Sequence, residues 1–400
     1  MTAHSIGMKG ERVLITGCGA VSAAGMNRSE TLDVFARGQR NAGPVTLFET
    51  ALPYPVFEVR EIPRAFFLEG QRTLSLALIA ADEALGEARL SKDLSSYRVG
   101  VCMGTTVASQ LNDIEFYRSY RTHGSAPMTA AHRYVNGNIA EHLARAVKAR
   151  GPSLTVVNAC SSGTDAIGVA LSWLRSGLCD IALAGGADEM NRIPLCGFGS
   201  LGIVNEGLCA PFDRDRQGLN LGEGAGVLVL ETAASARRRG NAADLYLAGY
   251  GSESDAYHLT APHPEGVGLR ASINRALAES GIAPQDVSFV NAHGTGTIDN
   301  DVVEGKVLRD LFGADVTMLS TKGFTGHTLG AAGGLEAVFT AAGLQEGWIP
   351  ASIGFSTLDE DIGLAPARKK TTITGRYALS TSLAFGGNNA ALVVGRDGKA

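Results

Sequence analysis

Two ten-residue segments, VNACSSGTDA (157–166) and VNAHGTGTID (290–299), read nearly in register. A repeat of this kind constrains the chain to two similar units, each completing the other's core. In that register Cys160 falls opposite His293. A second pair, LGEGAGVLVL (221–230) and FGGNNAALVV (385–394), joins a glycine turn to an apolar run in both copies. Cys160 to Gly222 is 62 residues and His293 to Gly386 is 93, so the second copy carries 31 more, including STKGFTGHTLGAAGG. Duplication followed by divergence at matching strand ends would bring Cys160 and His293 together across a pseudo-twofold axis, where a pocket commonly lies.

Short apolar runs at 12–16, 99–103, 154–159, 181–184 and 287–292 alternate with helical segments, which is an α/β pattern. The run at 154–159 reads as a buried strand. Residues 73–90 place Leu74, Ala77, Leu78, Ala81 and Leu85 on one helical stripe with acidic residues opposite. Residues 164–176 are apolar nearly all round, which predicts a helix in the middle of the protein.

The chain carries 40 acidic and 35 basic side chains, a net charge of −5, so no positive field exists to attract nucleic acid or anionic lipid. The six cysteines form no CxxC pair, which fits free thiols in a reducing compartment and no metal site. The opening MTAHSIGMKGERVLITG lacks a continuous apolar stretch, and nowhere do 18 apolar residues run together. The expected location is the cytoplasm.

Cys160 follows a predicted strand and precedes a helix opened by Ser161, Ser162 and Gly163. Unpaired N–H groups and partial positive charge at that helix start favour a thiolate nucleophile. Cys18, Cys102, Cys179, Cys196 and Cys209 read as buried structural residues. His293 in HGTGT and His327 in KGFTGHTLG sit in glycine-rich turns that let a ligand approach. His4, His123, His132, His142, His258 and His263 read as structural. Lys322 and Glu336 could fix charge near the site or form a surface ion pair.

Six ordered blocks carry a resemblance over nearly the whole chain: VLITGCGAVSAAG, GPSLTVVNACSSGTDAIG, PFDRDRQGLNLGEGAGVLVLE, NAHGTGTIDND, STKGFTGHTLGAAGGLEA and SLAFGGNNA. Together they resemble the β-ketoacyl-acyl-carrier-protein synthases, condensing enzymes of the thiolase superfamily. The resemblance implies a thiolase-like fold of two α/β halves, 1–245 and 246–400, stacked with buried helices between mixed sheets. It implies an acyltransferase that needs no cofactor. Cys160 takes an acyl group from acyl carrier protein, then a malonyl thioester enters, loses carbon dioxide and attacks the acyl-enzyme. It also implies oxyanion-hole N–H groups at Cys160 and Phe385, enolate stabilisation by His293 and His327, and a local field set by Lys322 with Glu336. Phe385 matches a mobile gate hinged on Gly386 and Gly387. The implied assembly is a homodimer, or a heterodimer with a chain-length-factor-like subunit.

Fatty acid elongation is the leading pathway, and a specialised type II polyketide or aryl-polyene-like ketosynthase is the alternative. The sequence departs from the family pattern at several places. Ile298 stands where proline is usual, Ala384 where a glycine precedes the gate, and His132, Arg133 and Tyr134 where a more apolar pocket floor is expected. Between 62 and 72 only Arg64 and Arg72 supply positive charge for an acidic carrier protein. Asp301 and Glu304 fall where acidic residues are expected. An NAD-dependent oxidoreductase is the rival class, from Gly17 and Gly19 after an apolar run. Ser22 replaces the third glycine of that fingerprint, and no acidic residue follows near position 40. A non-catalytic partner subunit conflicts with the retained Cys160, His293 and His327, and a thiolase proper would need a cysteine after Cys209.

Overall fold

The computed structural model describes residues 11–108 and 113–398. The first half of the chain contains β1 (Val13–Ser22), α1 (Arg28–Arg37), α2 (Arg72–Glu87), β2 (Val99–Gly104), α3 (Ile114–His123), α4 (Thr129–Asn136) and α5 (Ile139–Ala146). It continues with β3 (Ser153–Val156), α6 (Ser162–Arg175), β4 (Ile181–Asp188), α7 (Arg192–Ser200) and β5 (Gly224–Thr232). Then come α8 (Ala233–Arg238), β6 (Leu245–Ser254), α9 (Val267–Ser280), β7 (Val287–Asn291), α10 (Ile298–Phe312), β8 (Met318–Leu319) and α11 (Lys322–Thr325). The chain closes with α12 (Ala332–Glu346), β9 (Trp348–Ile349), β10 (Thr371–Thr372), β11 (Tyr377–Ala384) and β12 (Asn388–Arg396).

Ten strands run in the order β3-β2-β4-β5-β1-β6-β12-β11-β7-β8. The order is the same when read outward from the β1–β6 junction in either direction: β1, β5, β4, β2, β3 answers to β6, β12, β11, β7, β8. Orientation matches too, since β2 is parallel to β3 and β4, as β7 is to β8 and β11, while β5 and β12 are antiparallel to their neighbours. This correspondence corrects the register of the sequence repeat. β5 corresponds to β12 as LGEGAGVLVL and FGGNNAALVV predict, but β7 answers to β2, and β3 answers to β8. Cys160, after β3, is therefore the counterpart of the segment at Lys322, and His293 is the counterpart of the turn at Thr105. The two VNA segments resemble each other because each turns sharply off a strand end, not because they occupy equivalent places.

Between the two sets of strands lie α6 and α12. Ala166, Ile167, Ala170 and Leu171 of α6 and Leu335, Val338 and Ala341 of α12 share one core with Ile15, Leu228 and Leu392 of the strands. Outside, α2 and α5 cover β1, β2, β4 and β5, and α9 and α10 cover the second set. α12 is buried from Ala332 through Leu344, so its alanines and glycines serve close packing rather than solvation.

Gly17 and Gly19, the core of the dinucleotide-loop reading, lie inside β1. A Cβ on Gly17 would sit 2.1 Å from the Ala84 carbonyl oxygen, and one on Gly19 1.9 Å from that of Ala80. They admit α2 to the strand, and no phosphate-binding turn is formed. Beyond Leu14, β1 has no partner on its β6 side. There Glu87 accepts from the Cys18 N–H at 2.6 Å and Glu83 from the Ala20 N–H at 2.8 Å. Glu83 and Glu87 of α2 thus finish a strand edge, while Asp82 pairs with Lys92. Among the described residues no helix is long and apolar enough to cross a membrane.

The closest approach of α6 and α12 sets a stability test. A Cβ on Gly333 would meet Thr164 Oγ1 at 2.0 Å and its N at 2.6 Å. Gly333→Ala is expected to destabilise the protein by about 2 kcal/mol or more, read by chemical denaturation. Gly197→Ala in α7, with nothing within 4 Å of the new methyl, is expected to stabilise by about 0.5 kcal/mol.

Candidate active site

Five segments converge on one cleft. Cys160, Phe198, His293, His327 and Phe385 all line it, and Thr295, Thr297 and Ile298 continue its wall outward. Cys160 itself is 5% exposed. The strand before it, β3, is an edge strand with Ser153 and Leu154 exposed, which corrects the expectation of a buried strand. Ala159 adopts φ +49°, a conformation costly for a residue with a Cβ. A local network holds it there. Ser162 Oγ accepts from the Asn158 N–H at 2.8 Å and donates to the Ala159 carbonyl. Asp165 accepts from Asn158 Nδ2, Ser161 Oγ and the Tyr250 hydroxyl, at 2.6, 2.8 and 2.7 Å. Tyr250 belongs to β6, so the second half of the chain braces the turn that carries the thiol.

His293 and His327 meet edge to face with ring centroids 5.2 Å apart. His327 Nε2 lies 3.0 Å from Cys160 Sγ, while its Nδ1 has no partner in the described structure. The Lys322 ammonium donates to the His293 carbonyl at 2.5 Å and faces His293 Nδ1 at 3.2 Å. An ammonium has no acceptor, so Nδ1 must be the unprotonated nitrogen and Nε2 carries the hydrogen. Lys322 also pairs with Glu336, and both are nearly inaccessible. The pair is thus buried, not on the surface.

Below His293, Glu304 accepts from the N–H groups of His293 and Gly294, both at 2.8 Å, and from the Thr381 hydroxyl. Asp301 accepts from the N–H groups of Phe212, Thr295 and Gly296. These two acids position the HGTGT loop and do not face the cleft. Phe385 follows β11, and Gly386 and Gly387 take φ +87° and +79°, conformations that glycine alone adopts readily. The Phe385 ring stacks on Phe198, centroids 5.4 Å apart. Phe198 also meets the His327 ring edge-on.

Burial pushes the Cys160 thiol up to about 12, opposed by the Lys322 charge and the Phe385 N–H. The start of α6 two residues on adds further positive potential. Burial, with Lys322, holds His293 and His327 well below the usual imidazole range, so both are neutral at neutral pH. Burial raises Glu336 to about 7 against the attraction of Lys322.

All the candidates from sequence, Cys160, His293, His327, Lys322, Glu336, Phe385, Gly386 and Gly387, converge here. Two contributors were missed. Asp188 at the end of β4 accepts from Thr105, Thr106, Val107, Ala108 and the Gly330 N–H, tying the β2 turn to the segment after His327. Its signal was an acid closing the apolar run IALAGGA. Phe198 carried no signal, because only the fold brings α7 to the cleft. Arg72, read as a docking residue, is instead paired with the buried Glu223. Cys196 is exposed, unlike the other five cysteines. His132 and Arg133 are absent from the cleft lining; the Tyr134 side chain and His4 lie outside the described residues.

Residues 10–236 match the family described as "Beta-ketoacyl synthase, N-terminal domain", and 246–356 its C-terminal domain. The chain is 34% identical to 3-oxoacyl-[acyl-carrier-protein] synthase 2 of Staphylococcus aureus strain N315, over 96% of this chain and 98% of that protein. It is 33% identical to the protein of that name from Synechocystis, over 96% and 97%. Among solved structures, a chain of the ishigamide ketosynthase/chain length factor superposes with TM-score 0.92 at 32% identity, covering 97% of this chain and 100% of that one. A chain of the ketosynthase and chain length factor complex from Xenorhabdus doucetiae gives 0.83 at 32%, covering 97% and 98%.

Two neutral imidazoles add no step to the pH response. Decarboxylation of a malonyl thioester should show no histidine step between about pH 6 and 8, because neither ring changes charge there, and any change near pH 7 should vanish in Glu336→Gln, since that carboxyl is raised to about 7. A rate step near pH 6.5 that disappears in His327→Asn would contradict this assignment. Lys322→Met should slow alkylation of Cys160 by iodoacetamide about tenfold or more at pH 8, since the positive charge favouring the thiolate is gone.

Proposed function

We propose, from the premise that this chain belongs to the beta-ketoacyl synthase family, that it is a 3-oxoacyl-[acyl-carrier-protein] synthase with Cys160 as nucleophile. The observation that carries the proposal is the 3.0 Å contact of His327 Nε2 with Cys160 Sγ, beside a second histidine fixed by Lys322.

The Cys160 sulfur attacks the thioester carbonyl of an acyl carrier protein, its proton passing to the departing carrier sulfur. Negative charge on the carbonyl oxygen is received by the N–H groups of Cys160 and Phe385, the carbon–sulfur bond to the carrier breaks, and the carrier leaves as a thiol. A malonyl thioester then enters. Its carboxylate departs as carbon dioxide, and the electron pair left behind forms an enolate whose oxygen accepts from His293 Nε2–H and His327 Nε2–H. The α-carbon attacks the acyl carbonyl, the bond to Cys160 Sγ breaks, and the 3-oxoacyl carrier protein leaves. Lys322 keeps His293 in the donor tautomer needed, and Glu336 balances the lysine charge. Phe385, stacked on Phe198 and hinged on two glycines, gates the acyl chain. The partners are acyl and malonyl carrier proteins and a second subunit, identical or of the chain-length-factor kind. The exposed edge strand β3 supports that second subunit, as does α3, which buries none of its residues against this chain. The division into halves 1–245 and 246–400 is part of the proposal, supported by the mirrored strand order, and so is a cytoplasmic location.

Fatty acid elongation is the first reading of the pathway. A specialised type II polyketide ketosynthase is the second, favoured by the likeness to the ishigamide ketosynthase/chain length factor.

Cys160→Ala should lose acyl transfer by at least about a thousandfold while retaining the wild-type melting profile. Cys160→Gln should still release carbon dioxide from malonyl carrier protein, because the histidines and oxyanion N–H groups remain. Acyl-enzyme formation in the alanine variant would overturn the assignment of the nucleophile.

A further inference from the structure

The mouth of the cleft differs in character from its floor. Three loops meet there: the segment after α7 through Gly202 and Ile203, the segment after β6 through Thr260 and Pro262, and the start of α10 at Ile298 and Asp299. Each brings a large apolar side chain to the surface. Leu201 is 48% exposed, Leu259 80% and Ile298 63%. Leu259 is also anchored by its backbone, because its carbonyl accepts from the Gly386 N–H of the gate turn at 2.8 Å.

The charges on the same segments are mostly negative. Glu206, Asp215, Glu265 and Asp299 are exposed, against one exposed arginine, Arg214, which is itself bonded to Asp215. Arg216 is buried and paired with Asp359. Arg72 is bonded to Glu223 and to the Val59 carbonyl, so its charge is already neutralised. A surface of this composition repels an acidic partner at long range and rewards apolar contact at short range. Exposed leucine and isoleucine around the entrance of a binding cleft mark an interaction surface.

We propose that Leu201, Leu259 and Ile298 form an apolar collar that docks the carrier protein, and that the carrier it fits presents an apolar recognition face without dense negative charge. The inference rests on the synthase reading, because a thioester tethered to its carrier must bring that carrier to this rim. Docking at the collar excludes water from apolar area and forms few ion pairs, so its strength is nearly independent of salt.

The test uses the full-length protein, an octanoyl acyl carrier protein with an acidic recognition helix, the same carrier with those acids changed to amides, and octanoyl-N-acetylcysteamine. Acylation of Cys160 is followed by intact mass. The KM for the neutralised carrier should change by less than about twofold between about 50 and 500 mM salt, that for the acidic carrier should stay level or fall as salt screens the repulsion, and the neutralised carrier should bind at least as well as the acidic one. Leu201→Asp and Leu259→Asp should each raise the carrier KM about tenfold, with acylation by the small thioester altered by less than about twofold. A carrier KM that rises about tenfold with salt, or on neutralising the carrier, would overturn the collar in favour of charge recognition. So would leucine variants whose carrier KM equals that of wild type, or that lose the small thioester equally. Acylation by neither thioester would instead sink the synthase reading, and the collar with it.

Discussion

A buried ammonium governs the centre of this molecule. Lys322 lies 2% exposed, and a charge so far from water is tolerable only if every donor finds an acceptor. It finds three: the Glu336 carboxylate, the His293 carbonyl and His293 Nδ1. Each contact fixes something else. Glu336 ties the lysine to α12, the carbonyl holds the end of the β7 turn, and the ring nitrogen sets a tautomer. Burial keeps both imidazoles neutral, with the same charge adding to it, and that charge offsets part of the burial that disfavours a thiolate at Cys160. Removing the partner carboxylate would leave an uncompensated charge in the core, at a typical cost of about 3–5 kcal/mol.

The duplicated architecture explains how such a cluster is assembled from segments distant in the chain. Cys160 and Lys322 occupy corresponding places, each between a strand at the sheet's end and a central helix. His293 and the Thr105 turn occupy another corresponding pair. One copy of each pair carries reactive groups, and the other helps to brace them: Thr105 and Thr106 donate to Asp188, which in turn receives the Gly330 N–H beside His327. Small residues at the contact of α6 and α12 make this convergence possible, since Gly163 and Gly333 let the helix starts touch. Sites of this kind need rigid second supports, because an error of an ångström at the nucleophile costs orders of magnitude in rate.

Much of this was legible in the sequence, because the reactive residues sit in glycine-rich turns whose local patterns are distinctive. The α/β alternation and the buried helix at 164–176 emerged from short patterns, and the gathering of Cys160, His293, His327, Lys322 and Glu336 was implied by the family resemblance that six short blocks carry. What escaped depends on tertiary pairing. The repeat placed Cys160 opposite His293 because VNAC and VNAH share letters, whereas strand order, invisible to local similarity, places His293 opposite Thr105. Phe198 could not be found, since nothing in GFGS announces that α7 reaches His327. Arg72 looked free to meet a partner because sequence does not show that Glu223 lies buried beside it. That Glu83 and Glu87 bond the β1 edge was not visible either, because a helical stripe does not reveal that an unpaired strand edge waits opposite.

The central claim, that one thiol among six receives the acyl group, is tested most directly by peptide mapping of the wild-type protein after incubation with saturated, unsaturated and aryl acyl carrier proteins. The account predicts an acyl mass on the peptide containing Cys160 and on no other cysteine peptide, including that of the exposed Cys196. Acylation at another cysteine, or none from any carrier while the protein is folded, would contradict it.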